Sequence, residues 1–562
     1  MVYPTLAILL VTAALGFGVG QRALARRLGF GVATLSLLAA LFVVGSTPFA
    51  PATLTFILLE FGSAKFSVNP IFTPAEQAIA VTLLGGSSAA LFALAGAIAP
   101  TVRGFGSIFA WVLMALTAAL LSLAAPPLSL FQPLAWAVVA LSGYSALRAS
   151  GVSALATPPF GLTLGLTASV LLAGCLSVAN QPVVGGAWSG WLTTLCGLGA
   201  ALALAGCPPL VGVQADADAA PAPLGALVYG LLAPATALGW LLRALPVLPP
   251  LPIGGTTALG LFGALGVLVC GAGALGASRL RPLLAWATAG QTALVVTAAA
   301  LTTTPAHILG PGLLVSLMLA ATVGAGATAT LERTTGSDDY TADGALPPRV
   351  AGVGWAIAAA ASVGLPPLWG FWPRLWLLLA AQQQQPWLLA PLLAGASLLT
   401  LAMLLPLARF WGTAEQVVSP RANWTDLLPM TLAGLLLLVF GVAPGLAEGM
   451  IGLPVTLPTQ IAVVGAGLLF FGLVILIGWA IPARKLEPDP DEVTVRLTPA
   501  ALSTALRPVA WLGNPQSLLW ALWAGLERMS TALRFLMGLF EQRYYLLGML
   551  AALVMIMLLM AQ

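Results

Sequence analysis

Arg281, His307 and Arg374 are the side chains on which ion chemistry in this sequence would rest. Each lies in or beside a long apolar stretch, where an ionisable group is costly and marks a functional path by default. A histidine titrates near neutrality and can relay a proton, whereas an arginine stays charged at any working pH and cannot exchange one. Arg374 falls well inside its stretch. It reads either as a fixed positive charge in a residual ion path or a coupling element, or as an arginine that caps opened backbone carbonyls or snorkels. Arg281 stands at the inner end of a span, where an ordinary anchor is the simpler role. His307, flanked by Pro305, sits near the outer end of its span, as an interface histidine or a relay. Tyr144, with Ser142 and Thr288, adds hydroxyls able to line a water chain without charge.

Prolines interrupt the spans that would hold such groups. Pro234 lies near the centre of the stretch from about residue 224 to 243, and Pro366 and Pro367 within that from about 350 to 380. Proline lacks a backbone donor and clashes with the preceding turn, so a helix carrying it at membrane depth is expected to open. Paired interruptions in two halves of a chain point to an ion or substrate site.

The 562 residues are 60% hydrophobic and only 7% charged, with a mean hydropathy of +1.02. Soluble domains carry about 25% charged residues, so the sequence predicts an all-α integral membrane protein. About 16 segments approach or exceed the length needed to cross a bilayer. With both termini extracytoplasmic, most arginines fall on inner loops, leaving Lys65 and Arg243 outside, as the positive-inside rule requires. A bacterial inner membrane fits this arrangement. Cys175, Cys196, Cys207 and Cys270 form no CxxC pair and His307 is the single histidine, so no Fe–S, zinc or haem site is expected and no cofactor is assigned.

Residues 1–106 read as N-terminal spans with an extracytoplasmic hairpin between Thr47 and Gln77. Spans continue through 107–302 and 303–450, where the connection Thr334–Pro348 is acidic and polar, and a further span covers 451–485. From 486 to 540 a charged linker gives way to an amphipathic pattern in which Arg507, Glu527, Arg528 and Arg534 alternate with Trp511, Trp520, Trp523 and Phe535. It predicts an interfacial lateral helix, lying idle on the membrane or bracing neighbouring subunits. A terminal span fills 541–562.

Four stretches resemble one family. They are Leu134 to Tyr144, Pro221 to Leu227, Arg279 to Ala287, and the Gly364-Leu365-Pro366-Pro367 run ending in Gly370-Phe371-Trp372-Pro373-Arg374. Their order and their coincidence with the prolines resemble the antiporter-like membrane subunits of respiratory complex I, shared with membrane-bound hydrogenases and cation/proton antiporters. The resemblance implies two inverted five-helix repeats, 107–302 and 303–450, each with a proline-broken helix, followed by a lateral helix and a final span. It also implies a midplane line of lysine, glutamate and histidine. Here that line is thinned: Ala137 stands where the family has glutamate, Pro234 or Ala235 where it has lysine, and Pro311 and Val315 where it has histidine and lysine. Arg281 and Arg374 replace two further lysines.

The resemblance therefore implies a cofactor-free, non-redox subunit of a translocase, in the membrane arm of a complex I-like quinone oxidoreductase and impaired in proton conduction. The alternatives are a non-conducting scaffold, or the membrane partner in a hydrogenase, cation antiport or inorganic-carbon uptake complex. Its partners would be other membrane-arm subunits and the bilayer, and no nucleic acid.

Overall fold

The structure, a computed structural model, describes mainly residues 72–97, 105–150, 160–179, 187–208, 220–251, 254–301, 306–340, 349–410 and 424–444, with shorter pieces at 9–14, 29–39, 56–68, 504–511 and 527–531. The expected span 451–485, the linker from 486 and most of the terminal span lie outside the described residues. Two compact units are distinguished, Met1–Gly513 and Asn514–Gln562. In the second, residues 527–531 are helical, and the Thr531 hydroxyl donates to the Glu527 carbonyl at 2.6 Å.

Among the described residues, the first unit is helical apart from one hairpin, in which β1 (Phe56–Phe61) pairs antiparallel with β2 (Ala64–Val68). Its register breaks between Ile57 and Leu59. A bulge there inserts an extra residue into β1.

The helices needed to place the site are α1 (Pro74–Ala97), α2 (Phe105–Ala124), α3 (Phe131–Ala149), α4 (Phe160–Ala179), α5 (Ala187–Ala205) and α6 (Ala222–Ala244), then α7 (Gly255–Leu275), α8 (Leu280–Ala300), α9 (Ala306–Thr335), α10 (Arg349–Val363), α11 (Phe371–Gln384), α12 (Leu389–Leu404) and α13 (Trp424–Val442). Among the described residues, 8 helices are long and apolar enough to cross a membrane. The central one is α9, which is buried at every residue from Leu309 to Leu331 and packs against α1, α8, α10 and α13. From Ala320 to Thr330 it is built of alanine, glycine, threonine and one valine, and Thr322, Thr328 and Thr330 return their hydroxyls to the carbonyls four residues back. Such back-bonding lets a polar residue sit in an apolar core with its donor satisfied.

Of the amphipathic stretch, Arg507–Trp511 is helical and lies against α7.

Candidate functional site

The two proline-containing helices behave differently. α6 does not open at Pro234. It runs as one helix from Ala222 to Ala244, with a π segment at Ala226–Leu232 immediately before the proline. The Ala233 N–H reaches back to the Val228 carbonyl, an i to i−5 bond. Widening the turn there lets proline enter the first turn of the following α segment, where its missing N–H disrupts least. The expectation of an opened helix at Pro234 is thus corrected. A π turn absorbed the defect, and the apolar Leu227, Val228, Leu231 and Leu232 bury themselves around it.

The second interruption is a true gap. α10 ends at Val363, Gly364 turns left-handed at φ +82°, the Pro366–Pro367 peptide is cis, and helix resumes at Phe371. The freed backbone is satisfied by protein, as membrane depth demands. Leu365 N–H bonds the Ala360 carbonyl at 2.7 Å, and Trp369 N–H bonds the Leu437 carbonyl of α13 at 2.8 Å. Two indoles complete the set: Trp369 donates to the Gly312 carbonyl of α9 at 3.1 Å and Trp372 to the Gly441 carbonyl of α13 at 2.8 Å. Pro366 and Pro367 lie at the centre of this gap.

Arg374 occupies the first turn and a half of α11 and is 8% exposed. Its Nε has no hydrogen-bond partner, and no carboxylate pairs with it among the described residues. With Ser362 of α10 it faces a cavity of about 30 Å³ otherwise lined by aliphatic side chains. The Ser362 hydroxyl in turn accepts from the Gln291 side-chain amide of α8 at 3.0 Å. No hydrogen bond from Arg374 to an opened carbonyl is present among the described residues, so the capping role finds no support there.

The other candidates are elsewhere. Arg281 lies ten residues before Gln291 on α8, roughly 15 Å along the axis at 1.5 Å per residue. There it pairs with Glu332 of α9, while its backbone N–H donates to Asp338 at 3.3 Å. Arg279 bonds the other Asp338 oxygen at 2.8 Å. Asp338 is 3% exposed, so this part of the polar connection is packed rather than solvated, and Thr334 and Thr335 extend α9. Tyr144 is half-buried on α3. His307 is in the first turn of α9, and its side chain lies outside the described residues.

Ala137, Pro234, Ala235, Pro311 and Val315 carry no charge, and Ala235 and Val315 are 0% and 2% exposed. Trp136, beside Ala137, stacks edge-on against Trp240 of α6 at 5.5 Å. Pro311 sits inside the unbroken α9.

Two charged pairs and one neutral amide escaped the sequence reading. Asp426, 0% exposed at the start of α13, pairs with Arg333 at 2.6 Å. Glu76 pairs with Arg243 at 3.0 Å, so Arg243 is embedded at a helix end rather than free in an outer loop. The legible signal was Thr73-Pro74-Ala75-Glu76, a capping box: Thr73 N–H donates to Glu76 at 2.8 Å. Gln291 had no signal beyond being polar in an apolar span.

Tyr340, beyond the end of α9, donates its hydroxyl to the Ala277 carbonyl at 2.5 Å, and burial, aided by Asp339, pushes its pKa up to about 12. Its ionised form is disfavoured in the folded state, so the stability it contributes is intact below the unfolded value near pH 10 and lost as pH rises to about 12. Ultraviolet difference titration of the Tyr340→Phe variant against the parent should remove one tyrosine ionising near pH 12; loss of one ionising near 10 would contradict the packing.

Among the described residues no group of three or more His, Cys, Asp or Glu side chains is arranged to hold a metal ion. Residues 160–400 match the family described as NADH:quinone oxidoreductase/Mrp antiporter, TM. A chain of the Mrp complex from Dietzia sp. DQ12-45-1b superposes with a TM-score of 0.66 at 19% identity, over 94% of this chain and 62% of the other. The present chain therefore spans only about three fifths of that relative's length. A chain of respiratory complex I from Thermus thermophilus gives 0.66 at 19% identity, covering 81% and 98%. A chain of the membrane-bound sulfane sulfur reductase, an archaeal respiratory membrane complex, gives 0.71 at 16% identity, covering 94% of each. Comparison with curated protein sequences yields no match.

Proposed function

We propose, starting from a chain that is an antiporter-like integral membrane subunit, that it occupies the membrane arm of a complex I-like quinone oxidoreductase and conducts protons poorly or not at all. Redox chemistry belongs to partner subunits in this reading. The carrying observation is the apolar filling of the positions where the family resemblance places charge, with Ala235 and Val315 fully enclosed and the π segment of α6 sealed by leucine and valine. A proton wire needs hydrated or ionisable stations at hydrogen-bond spacing. Between the half-buried Tyr229 and the end-of-helix Arg243, α6 offers Thr236, whose hydroxyl is already given to the Leu232 carbonyl at 2.7 Å.

Orientation follows from charge. Counting alternate crossings places Arg148, Arg279, Arg281, Arg333 and Arg349 at one end of the bundle and Glu76 with Arg243 at the other. The arginine-rich end is the cytoplasmic one in this proposal, in a bacterial inner membrane. The two inverted repeats and the bracing role of the amphipathic segment belong to the same reading.

Purification in mild detergent, with mass spectrometry of the accompanying chains, tests membership. Quinone-site and Fe–S subunits are expected. Recovery alone, or with a single soluble partner, sinks the complex I-like reading in favour of a scaffold or carbon-uptake role. For conduction, the complex in proteoliposomes should pump with its rate unchanged by Thr236→Val; a rate collapsing in that variant would mean that α6 carries protons after all.

A further inference from the structure

The cavity at the helix gap is small and polar at one corner. Its volume of about 30 Å³ holds one or two water-sized groups. Arg374 supplies a guanidinium that is 8% exposed and has an unpartnered Nε. Ser362 supplies a hydroxyl whose oxygen already accepts from Gln291, which leaves its proton free to donate. Val267, Leu378, Leu393 and Ala396 make much of the remaining wall. Leu378, Leu393 and Ala396 are half-buried, so the cavity has an approach between α11 and α12.

The gap itself shapes the corner. A Cβ on Gly364 would stand 2.7 Å from the Arg374 Cδ and 3.1 Å from Nη1, so the absent side chain is what lets the guanidinium lie against the turn. A buried charge without counter-charge is unstable in an apolar setting, and no carboxylate of this chain meets it among the described residues.

We propose that Arg374 and Ser362 form a binding site for one compact monovalent anionic group, of the size of a chloride ion or a carboxylate head. Two donors converging on so small a space match a single negative charge. Phosphate or sulfate would bring up to two negative charges against one guanidinium and would crowd a space of about 30 Å³. The site does not depend on which complex the chain joins.

The test uses the protein with its co-purifying subunits. Chloride replaces gluconate at constant ionic strength while thermal stability is followed, and bound ³⁶Cl⁻ is counted in parallel. Native mass spectrometry looks for a retained fatty-acid carboxylate. The parent should show saturable stabilisation with one chloride per chain, or one retained carboxylate amphiphile, which distinguishes the two sources. Either signal should vanish in Arg374→Gln and in Ala396→Phe, which fills the cavity while keeping the arginine. The second variant decides the matter should the first fail to fold. A chloride response identical in parent and variants, the absence of both signals in the parent, or a partner-subunit carboxylate seated on Arg374 would each overturn the proposal.

Discussion

Replacing Arg243 by alanine is expected to lower stability by about 3–5 kcal/mol, the range for removing one partner of a buried ion pair. The reason lies in how α2 ends. The chain leaves that helix through Ala125-Pro126-Pro127, and prolines have no N–H with which to cap the last carbonyls. Side chains do it instead. Arg243 Nη1 donates to the Leu123 and Ala125 carbonyls at 2.6 and 3.1 Å, and Nη2 donates to that of Ser122 at 2.7 Å. Gln132 adds bonds to Ser122 and Ala125, and the Trp240 indole takes the Pro127 carbonyl at 2.7 Å. A cation at a helix C-terminus also meets the negative end of the dipole. Removing Arg243 strands Glu76 and several carbonyls together. Adding Glu76→Gln to Arg243→Ala should recover part of the loss, since the stranded charge goes. Denaturing-detergent titrations of the four proteins of the cycle would show this, and simple additivity would mean that the ion pair contributes nothing of its own.

An equally large effect is expected from Gly441→Ala. A Cβ at Gly441 would lie 1.8 Å from the Pro367 carbonyl oxygen and 2.5 Å from the Leu368 carbonyl carbon. These are backbone atoms, so no rotamer change relieves the clash and α13 must move off the gap. That movement would break the Trp369 N–H bond to Leu437 and the Trp372 indole bond to Gly441, leaving opened backbone unsatisfied at membrane depth. Overpacking typically costs about 1–3 kcal/mol, and the lost hydrogen bonds put this case at the upper end or above. The measurement is the midpoint of unfolding together with tryptophan emission. Gly434→Ala is the control, because its Cβ would meet nothing nearer than 3.5 Å. Equal midpoints for the two variants would show that α13 does not clamp the gap.

The membrane class and the second helix interruption were legible in the residues. Long apolar runs with 7% charge leave little choice of environment, and Gly364-Leu365-Pro366-Pro367 cannot continue a helix whatever surrounds it, because two adjacent prolines remove two donors. Pro234 was not legible in the same way. A lone proline can be accommodated by widening one turn, and whether a π segment or an opening forms depends on what packs around it. Here Leu227, Leu231 and Leu232 fill the space.

Charge pairing was decided by tertiary structure throughout. Arg243 and Glu76 are separated by 167 positions, Arg333 and Asp426 by 93, and only the bundle brings each pair together. The sequence determined that the chain carries few ionisable groups and which of them lie within apolar stretches, since composition and hydropathy are local properties. The fold alone decided that Arg243, Arg279, Arg281 and Arg333 meet carboxylates while Arg374 faces an apolar cavity beside Ser362. Pairing depends on which helix ends coincide in space, and no local pattern of residues encodes that.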